Sequence, residues 1–310
     1  MTIRIGLVGL GQIARNRHLP AIAGTADFTL AGLTSADAPP PIDGIPVHQD
    51  HRAMLTACDL DAVAICTPPE ARFAVARDAL LAGKHVVLEK PPAATLGEAE
   101  ALVRLAAQQG RVLFVTWHSQ YNQAVDQARA FLAGKKLATL RVDWNEDFRK
   151  YHPDQAWIWQ ETGFGVFDMG INALSVISRL FAAPPFIRAA ELRIAANHAA
   201  PLSAILQFGT LDSDGPMEAH MDWGINGPDQ REIRLTTQCG HSLALLDSGA
   251  RLEIDGAVVL QTTRSEYPAL YARFADLIRR GQSDIDLAPL KMTLDALAIG
   301  RRQRIPAFED

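Results

Sequence analysis

Two glycines separated by one residue stand directly behind an apolar run at the start of the chain. The run is Ile3–Val8, and the residues after it are Gly9, Leu10, Gly11, Gln12, Ile13 and Ala14. Between a strand and a helix, Gly9 permits a tight turn and Gly11 lets the backbone approach a pyrophosphate. The phosphates would rest on the N–H groups of Gln12 and Ile13. This spacing predicts a dinucleotide-binding turn, although ordinary strand-to-helix turns are also rich in glycine.

The residue that would contact the adenosine ribose is unusual. Such turns are followed, about twenty residues later, by an acid that holds the ribose 2′-OH. This chain has Thr34 and Ser35 there, the nearest acid is Asp37, and no arginine is adjacent. Ser35 can donate to a 2′-OH or to a 2′-phosphate. We therefore predict NAD or NADP as cofactor, with use of both as the best interpretation.

Two further segments follow apolar runs that are typical of strands. Glu89, Lys90, Pro91 and Pro92 follow the run His85–Leu88, and Thr67, Pro68 and Pro69 follow an earlier run. A lysine at the carboxyl end of a strand, fixed by a proline, would place its ammonium group beside a nicotinamide and polarise a substrate hydroxyl. Thr67 and Pro68 would form the wall beside the riboses, and Glu89 is expected to be one of the residues that bind the cofactor. A surface lysine and a rigid turn are the plain alternatives.

A third segment combines glycines with an acid and an amide. Its residues are Gly163, Phe164, Gly165, Val166, Phe167, Asp168, Met169, Gly170, Ile171 and Asn172. Asp168 and Asn172 are four residues apart at the predicted start of a helix, so both side chains face the same way. Asp168 can accept a proton, whereas asparagine cannot act as a base at neutral pH. Helix capping and a solvated polar face are the alternative explanations.

These residues require elements that position them, and the first part of the chain alternates strands with helices. We predict strands at Ile3–Val8, 28–33, 62–66, His85–Leu88 and 112–116, and helices at 12–23, 51–56, 70–82 and 95–109. Short connections between such elements are typical of a Rossmann-type doubly wound parallel sheet. We assign this domain to residues 1–119, and its ligands are expected at the carboxyl ends of the strands.

The second part of the chain shows a different pattern. Strand patterns occur at 137–146, 187–195, 202–211, 217–223, 232–237, Ser242–Leu246, Arg251–Ile254 and 258–262, and helix patterns occur at 124–133, 167–181, 268–280 and 288–301. Turns of the Asp-Gly type join several neighbouring strands as hairpins. The expected domain, residues 120–310, is an α+β domain with a large, mostly antiparallel open sheet.

Composition excludes several classes of function. The 310 residues are 48% hydrophobic and 21% charged, and the net charge of −5 is spread along the chain, which argues against nucleic acid as a partner. The three cysteines show neither a CxxC pair nor metal-ligand spacing, so no metal site is expected. The start lacks the pattern of a signal peptide, and its apolar stretch is too short to span a membrane. A cytoplasmic protein is expected.

The ordered set GxGxxA, EKP and a glycine-rich segment leading to DxGxN resembles the glucose–fructose oxidoreductase and inositol dehydrogenase family. The resemblance spans nearly the whole chain. It implies a Rossmann domain followed by an α/β domain whose open sheet forms a homo-oligomer, a dimer or a tetramer. The family's usual pattern ends in DxGxH, where the histidine is a common base. Asn172 stands at that position here, which shifts the role of base to Asp168, with Asn172 and Lys90 as hydrogen-bonding partners.

Further segments are similar to one group within this family, the bacterial aldose 1-dehydrogenases that act on D-galactose and L-arabinose. These segments are Trp117-His118-Ser119, Glu146-Asp147, His152-Pro153, Trp157-Ile158-Trp159 and 165–174. The similarity implies that Asp168 and Asn172 lie at the anomeric end of a sugar. The rest of the sugar pocket would then be lined by Lys90, His118, Glu146, His152 and Trp159. Structural histidines, a surface acid and a core tryptophan are the alternatives for the last four.

The resemblance implies oxidation of a pyranose at C1 to an aldonolactone, with hydride transfer to NAD or NADP. Two alternatives stay open. The chain could be another oxidoreductase of the family, of the inositol or glucose–fructose type. It could also be a sugar sensor that binds the cofactor without catalysis, against which the presence of Lys90 and Asp168 speaks.

Overall fold

The computed structural model describes residues 2–35, 44–153, 155–263 and 266–309, so Asp37 lies outside the described residues. Contacts between Cα atoms divide the chain into two compact units. The first unit comprises Met1–Trp117 together with Ser265–Leu287, and the second comprises His118–Arg264 together with Ala288–Asp310. Each unit contains one sheet.

The first 117 residues alternate strands and helices as the sequence predicts. The strands are β1 (Ile3–Val8), β2 (Phe28–Thr34), β3 (Val47–His48), β4 (Ala62–Ile65), β5 (His85–Leu88) and β6 (Leu113–Val115). The helices are α1 (Leu19–Ala23), preceded by a π-helix at Ala14–His18, then α2 (His51–Ala57), α3 (Pro69–Leu81) and α4 (Leu96–Gln108). The hydroxyl of Thr95 accepts a hydrogen bond from the N–H of Glu98 at 3.2 Å, which caps α4.

The second part of the chain supplies most of a larger sheet. Its strands are β7 (Leu137–Asn145), β8 (Phe186–Ala195), β9 (Ser203–Gly209), β10 (Met217–Asp222), β11 (Gln230–Thr237), β12 (Ser242–Leu246), β13 (Arg251–Ile254) and β14 (Ala257–Gln261). Its helices are α5 (Gln123–Leu132), α6 (Phe148–Tyr151) and α7 (Phe167–Leu180). The last part contains α8 (Glu266–Arg280), α9 (Ala288–Ile299) and β15 (Arg301–Ile305).

The sheet of the first unit has six parallel strands in the order β3-β2-β1-β4-β5-β6. This order and the parallel pairing confirm the predicted Rossmann-type fold. The order reverses direction at β1 and β4, and ligands of such sheets bind outside the carboxyl ends of the strands at that point. Strands β4 and β5 are buried almost throughout, as expected when helices cover both faces.

The second sheet has nine strands in the order β14-β13-β12-β11-β7-β10-β9-β8-β15. Most pairs are antiparallel, as predicted, but β10 runs parallel to β7 and β15 runs parallel to β8. Burial alternates strictly along β10, with Met217, Ala219 and Met221 buried and the residues between them half-buried. This alternation shows one apolar and one polar face.

The end of the chain differs from the prediction. We expected one helix to reach residue 301, but α9 ends at Ile299 and Arg301 begins strand β15. The reason is Gly300, where an added Cβ would lie 2.6 Å from the carbonyl oxygen of Ala296 and 2.7 Å from the side chain of Leu192. Only glycine lets the chain leave the helix so close to β8.

Helix α8 packs in the first unit, although its position in the chain follows the strands of the second. The ring of Phe274 stacks between the rings of Phe28 and Phe114, with centroids 5.8 Å away on each side. Tyr271 meets Phe28 edge to face at 5.4 Å. These aromatic contacts bury one face of α8 against the Rossmann-type sheet.

Candidate functional site

The carboxyl ends of the parallel strands line up through a series of backbone hydrogen bonds. Gly9 donates to Thr34 at 3.1 Å, and Cys66 donates to Val8 at 2.8 Å. Glu89 donates in turn to Ile65 at 3.0 Å. Because these bonds link consecutive strand ends, the glycine turn, the Thr67 segment and the Glu89 segment come together at one edge of the sheet, as their sequence positions predict.

The glycine turn has the shape that a pyrophosphate requires. Gly9 has a φ of +92°, and an added Cβ would lie 2.9 Å from the backbone nitrogen of Thr67. At Gly11, by contrast, an added Cβ would meet no atom within 4 Å, and the residue is exposed. Gly9 therefore shapes the turn, while Gly11 leaves open the space into which a phosphate fits. Gln12 and Ile13 follow at the exposed start of the helix.

Thr67 and Ser35 flank this turn. The buried hydroxyl oxygen of Thr67 has no hydrogen-bond partner within the described part of the chain, which fits a polar ligand at this edge. The neighbouring Pro68 is exposed. Ser35 is half-buried and donates its N–H to the carbonyl of His48 at 3.0 Å. These residues thus fit a dinucleotide, with Ser35 at the end of β2 where the adenosine ribose is held in such folds.

Lys90 is half-buried directly after strand β5, and its backbone is fixed by the residue before it. The N–H of Lys90 donates to the carboxylate oxygen Oε2 of Glu89 at 3.0 Å. The other oxygen of Glu89 accepts from Tyr267 at 2.7 Å and lies 2.9 Å from Nε2 of His18. Glu89 is therefore a buried anchor of the strand end rather than a surface acid.

Asp168 and Asn172 lie in the first turns of helix α7, in the second unit. Both residues are nearly buried, at 4% and 9% exposure. Oδ2 of Asp168 is 4.0 Å from Nε2 of His152, and Oδ1 of Asn172 has no hydrogen-bond partner in the part of the chain that the structure describes. The start of α7 thus places the amide one turn after the carboxylate, as the i, i+4 spacing predicts, and the imidazole of His152 lies beside that carboxylate.

Glycines before α7 allow this close packing. At Gly163 an added Cβ would lie 2.2 Å from the carbonyl oxygen of Ile158, and at Gly165 it would lie 2.3 Å from that of Pro201. Both positions are closed to every other residue unless the backbone moves. The glycine-rich pattern therefore serves to bring the start of α7 against its neighbours, which buries Asp168.

An aromatic cluster surrounds His152. Its ring stacks on Phe148 at 5.8 Å and meets Trp223 edge to face at 5.0 Å. Trp159 is 5% exposed. The centroid of its ring lies 4.4 Å from the ring centroid of His198 and 4.6 Å from that of Phe148. The sequence did not single out Trp223, whose indole nitrogen is buried with no acceptor among the described residues. No local pattern distinguishes it from a core tryptophan.

Glu146 is held in an ion pair that the sequence did not reveal. Its Oε1 accepts from Nε of Arg231 at 2.6 Å, and both side chains are largely buried. Arg231 also lies 3.0 Å from Asp229. Only the strand pairing of the sheet indicates this ion pair. Arg231 on β11 pairs with Trp144 on β7, and Trp144 lies two residues before Glu146.

His118 begins a short 3-10 helix, is half-buried and lies 3.5 Å from the hydroxyl of Ser119. The predicted site residues of the second unit are thus distributed over five segments. Asp168, Asn172 and His152 form one cluster, and Trp159 belongs to the aromatic cluster beside it.

Known proteins match this arrangement. A sequence profile described as the oxidoreductase family with an NAD-binding Rossmann fold matches residues 3–117. Over 313 aligned residues, the chain is 39% identical to galactose 1-dehydrogenase of Pseudomonas fluorescens, and the alignment covers 99% of each protein. The chain belongs to this oxidoreductase family. The predicted family, that of glucose–fructose oxidoreductase and inositol dehydrogenase, is therefore confirmed, and so is its nicotinamide dinucleotide-binding domain.

Two solved structures are similar to this chain. The D-galactose-1-dehydrogenase protein from Rhizobium etli is 43% identical, with a TM-score of 0.92, and the match covers 99% of this chain and 98% of that one. A 3-ketoreductase from Actinomadura kijaniata, solved with NADP, matches with a TM-score of 0.84 at 17% identity, covering 99% of this chain and all of the other. The second likeness shows the shared fold.

Two other kinds of site are absent from residues 2–35, 44–153, 155–263 and 266–309. None of the helices found there has the length and apolar character that crossing a bilayer demands. No group of three or more His, Cys, Asp or Glu side chains in those ranges is arranged to hold a metal ion.

Proposed function

We propose that this oxidoreductase oxidises C1 of an aldopyranose, D-galactose or L-arabinose, to the aldonolactone. The observation that carries the proposal is the pair of buried residues Asp168 and Asn172 at the start of α7, with the half-buried His152 beside Asp168. It is found in a chain 39% identical over its full length to a galactose 1-dehydrogenase. Galactose and arabinose share the configuration of their ring carbons, so one pocket can accept both.

Asp168 is proposed as the proton acceptor. Its carboxylate is the buried acid of the cluster, and Asn172 beside it can hydrogen-bond a hydroxyl but cannot take its proton. The anomeric hydroxyl would lose its proton to Asp168, directly or through Lys90, which orients that hydroxyl. NAD or NADP, when bound, supplies the hydride acceptor for C1. The chain's own contribution is to hold the sugar and remove the proton.

The remaining polar residues are proposed to hold the sugar hydroxyls. His152 lies next to Asp168, and His118 is half-buried, so each ring nitrogen can serve as a hydrogen-bond partner. Glu146 retains one carboxylate oxygen beyond the one that Arg231 holds. Trp159 has neighbours close to its ring, which favours a role in the wall behind His152 over stacking on a pyranose.

The cofactor is proposed to be NAD or NADP, with both accepted. Support comes from Ser35, which follows strand β2 beside the glycine turn. Its hydroxyl can donate to the ribose 2′-OH of NAD or to the 2′-phosphate of NADP. Measuring Kd for both dinucleotides by fluorescence titration tests this proposal, and a preference above roughly 100-fold, about 2.7 kcal/mol, would contradict it.

We also propose a cytoplasmic homo-oligomer, a dimer or a tetramer, formed through the nine-stranded sheet. The polar face of this sheet supports it, because Arg141, Asp143, Glu218 and His220 form a half-buried charge network along β7 and β10. Sedimentation of the purified protein at several concentrations tests this, and a monomer throughout would contradict it.

The central experiment incubates the purified protein with NAD or NADP and a panel of aldoses, and follows the absorbance of the reduced nicotinamide. We expect turnover of galactose or arabinose and none of their C1-blocked methyl glycosides. Turnover of the methyl glycoside would indicate oxidation elsewhere on the ring, as in an inositol or glucose–fructose type enzyme. Cofactor and sugar binding without any turnover would indicate a sensor.

The role of Asp168 is tested by Asp168→Asn, which keeps the shape of the side chain. Loss of a general base lowers kcat by roughly 10²- to 10⁴-fold, whereas the Kd of the dinucleotide should stay the same. The matched control is Asp126→Asn, which changes an exposed carboxylate of the same unit. Full activity of the Asp168 variant would refute the assignment.

A further inference from the structure

Helix α8 contributes two tyrosines to a buried polar network behind the end of strand β5. Tyr267 donates to Oε1 of Glu89 at 2.7 Å, and the hydroxyl of Tyr271 lies 2.7 Å from Nδ1 of His18. Nε2 of His18 lies 2.9 Å from the same oxygen of Glu89. His18 is fully buried and Glu89 is 2% exposed. The network joins the helix behind the glycine turn, the end of β5 and helix α8.

Burial in this network shifts the pKa values of both tyrosines and of His18. Burial raises the pKa of Tyr271 to about 12, and burial together with Glu89 raises the pKa of Tyr267 well above its usual value. Burial alone would lower the pKa of His18, but contacts with Cys66, Tyr271 and Glu89 raise it well above 6.5. Both phenols therefore keep their protons at neutral pH. Oε1 of Glu89 accepts from Tyr267 and meets Nε2 of His18, while Tyr271 meets the other nitrogen of the His18 ring.

The two carboxylate oxygens of Glu89 meet different partners. Oε2 accepts the backbone N–H of Lys90 at 3.0 Å, while Oε1 accepts from Tyr267 and lies beside Nε2 of His18. The two oxygens therefore have different roles. Tyr267 and His18 hold Oε1, which orients the plane of the carboxylate. This orientation determines where Oε2 meets the backbone N–H of Lys90.

We propose that His18 is a positioning residue for Lys90, acting through Glu89, with Tyr267 as the second donor that holds the same carboxylate. The inference rests on the proposed function in one respect, the role of Lys90 in the reaction. Its structural part, the restraint of the Lys90 backbone by His18 and Glu89, stands on the hydrogen bonds alone.

Two variants of one residue separate positioning from packing. In His18→Gln, the amide nitrogen takes the place of Nε2 and can still donate to Glu89. In His18→Asn, the amide reaches only the place of Nδ1, so Tyr271 keeps a partner and Oε1 of Glu89 keeps only Tyr267 of its two donors. Both variants remove the ring, so a purely structural role would affect them alike.

We expect His18→Asn to lower kcat and to speed hydrogen exchange of the Lys90 amide by roughly 10- to 100-fold, the loss of one hydrogen bond to a charged group. His18→Gln should stay within about threefold of the wild type, since it retains that bond. The amide exchange is read by NMR on the full-length protein, and kcat and KM are measured with the aldose and the dinucleotide. Equal behaviour of the two variants would overturn the proposal.

Glu89→Gln gives a second test that is independent of how the histidine variants fold. An amide presents one acceptor oxygen where the carboxylate presents two, so either Lys90 or the pair of donors must face an NH₂ group. We expect faster exchange of the Lys90 amide and a lower kcat with little change in the KM of the sugar. Tyr267→Phe should show the same effects to a smaller degree. Unchanged Lys90 exchange in both variants would overturn the proposal.

The two kinds of failure can be told apart. If the wild type oxidises no aldose, the proposed function fails, but the exchange of the Lys90 amide still tests the restraint by His18. If the wild type is active and His18→Asn matches it in both kcat and exchange, the function stands and the positioning role fails.

Discussion

Replacing Gly9 by alanine should damage both the fold of the first unit and its binding of the dinucleotide. The residue has a φ of +92°, and the new Cβ would lie 2.9 Å from the backbone nitrogen of Thr67 and 3.0 Å from the carbonyl carbon of Cys66. Both neighbours are backbone atoms at the end of strand β4. They cannot swing aside as a side chain would, so two adjacent strand ends must separate.

The magnitude follows from two costs. Holding an L-residue in a left-handed conformation costs about 1–2 kcal/mol. Relieving the contact, which is about 0.5 Å shorter than ordinary van der Waals distance, costs roughly 1–3 kcal/mol when rigid neighbours must shift. Together they predict a loss of about 2–5 kcal/mol and a Tm lower by at least roughly 5 °C.

Gly11→Ala is the matched control because its new Cβ meets no atom within 4 Å. At an unstrained position this substitution leaves stability unchanged or raises it by about 0.4–1 kcal/mol. The Cβ does, however, occupy the approach to the phosphates. Loss of a hydrogen bond to a charged group costs about 1.5–3 kcal/mol, which weakens dinucleotide binding by roughly 10- to 100-fold.

The assay therefore measures two quantities in each variant: thermal unfolding of the cofactor-free protein and Kd for NADH and NADPH by fluorescence. Gly9→Ala should lower the Tm and weaken dinucleotide binding, and Gly11→Ala should weaken dinucleotide binding without lowering the Tm. If Gly11→Ala binds the dinucleotide as tightly as the wild type, the pyrophosphate does not lie against this turn. A wild-type Tm for Gly9→Ala would refute the steric reasoning.

Three further predictions concern stability. Phe274→Ala empties a fully buried site and should cost about 3–5 kcal/mol, seen as a lower Tm, and an unchanged Tm would contradict the packing of α8. Arg231→Met leaves the carboxylate of Glu146 buried without its partner and should cost about 3–5 kcal/mol by chemical denaturation, part of which Glu146→Gln in the same chain should restore. Burial lowers the pKa of His85, whose ring accepts the N–H of Val112 at 3.0 Å, from its ordinary 6.5. The unfolded chain then binds the proton more readily, so the contribution of His85 to stability should be constant above about pH 6.5 and fall as the pH drops below it. A His85→Gln variant with the same acid dependence would refute this cause.

Much of the fold could be predicted because its signals are local. The run Ile3–Val8 and the run His85–Leu88 are strands with the predicted bounds, and most other strands and helices differ from the prediction by one or two residues. Apolar runs buried on both faces, glycine turns and the cap at Thr95 act within a few residues of chain. The two-residue strand β3 and the strand β15 were missed, since neither has a hydrophobic pattern of its own.

The candidate site was only partly predictable. The positions of Gly9, Lys90 and Asp168 follow from motifs at the ends of elements, so the sequence could point to them. The neighbours that hold the site could not be found in this way. Arg231 reaches Glu146 from 85 positions away, and its partner depends on how β11 pairs with β7.

The sequence by itself determined the elements, the glycine turn and the order of strands and helices, because these depend on side chains a few positions apart. Only the tertiary structure decided that α8 packs in the first unit and that Tyr271 meets His18, 253 positions earlier in the chain. A buried hydrogen bond of this kind contributes free energy only once its partners are brought together away from water. No local pattern records such a pairing, so it emerges only from the packed fold.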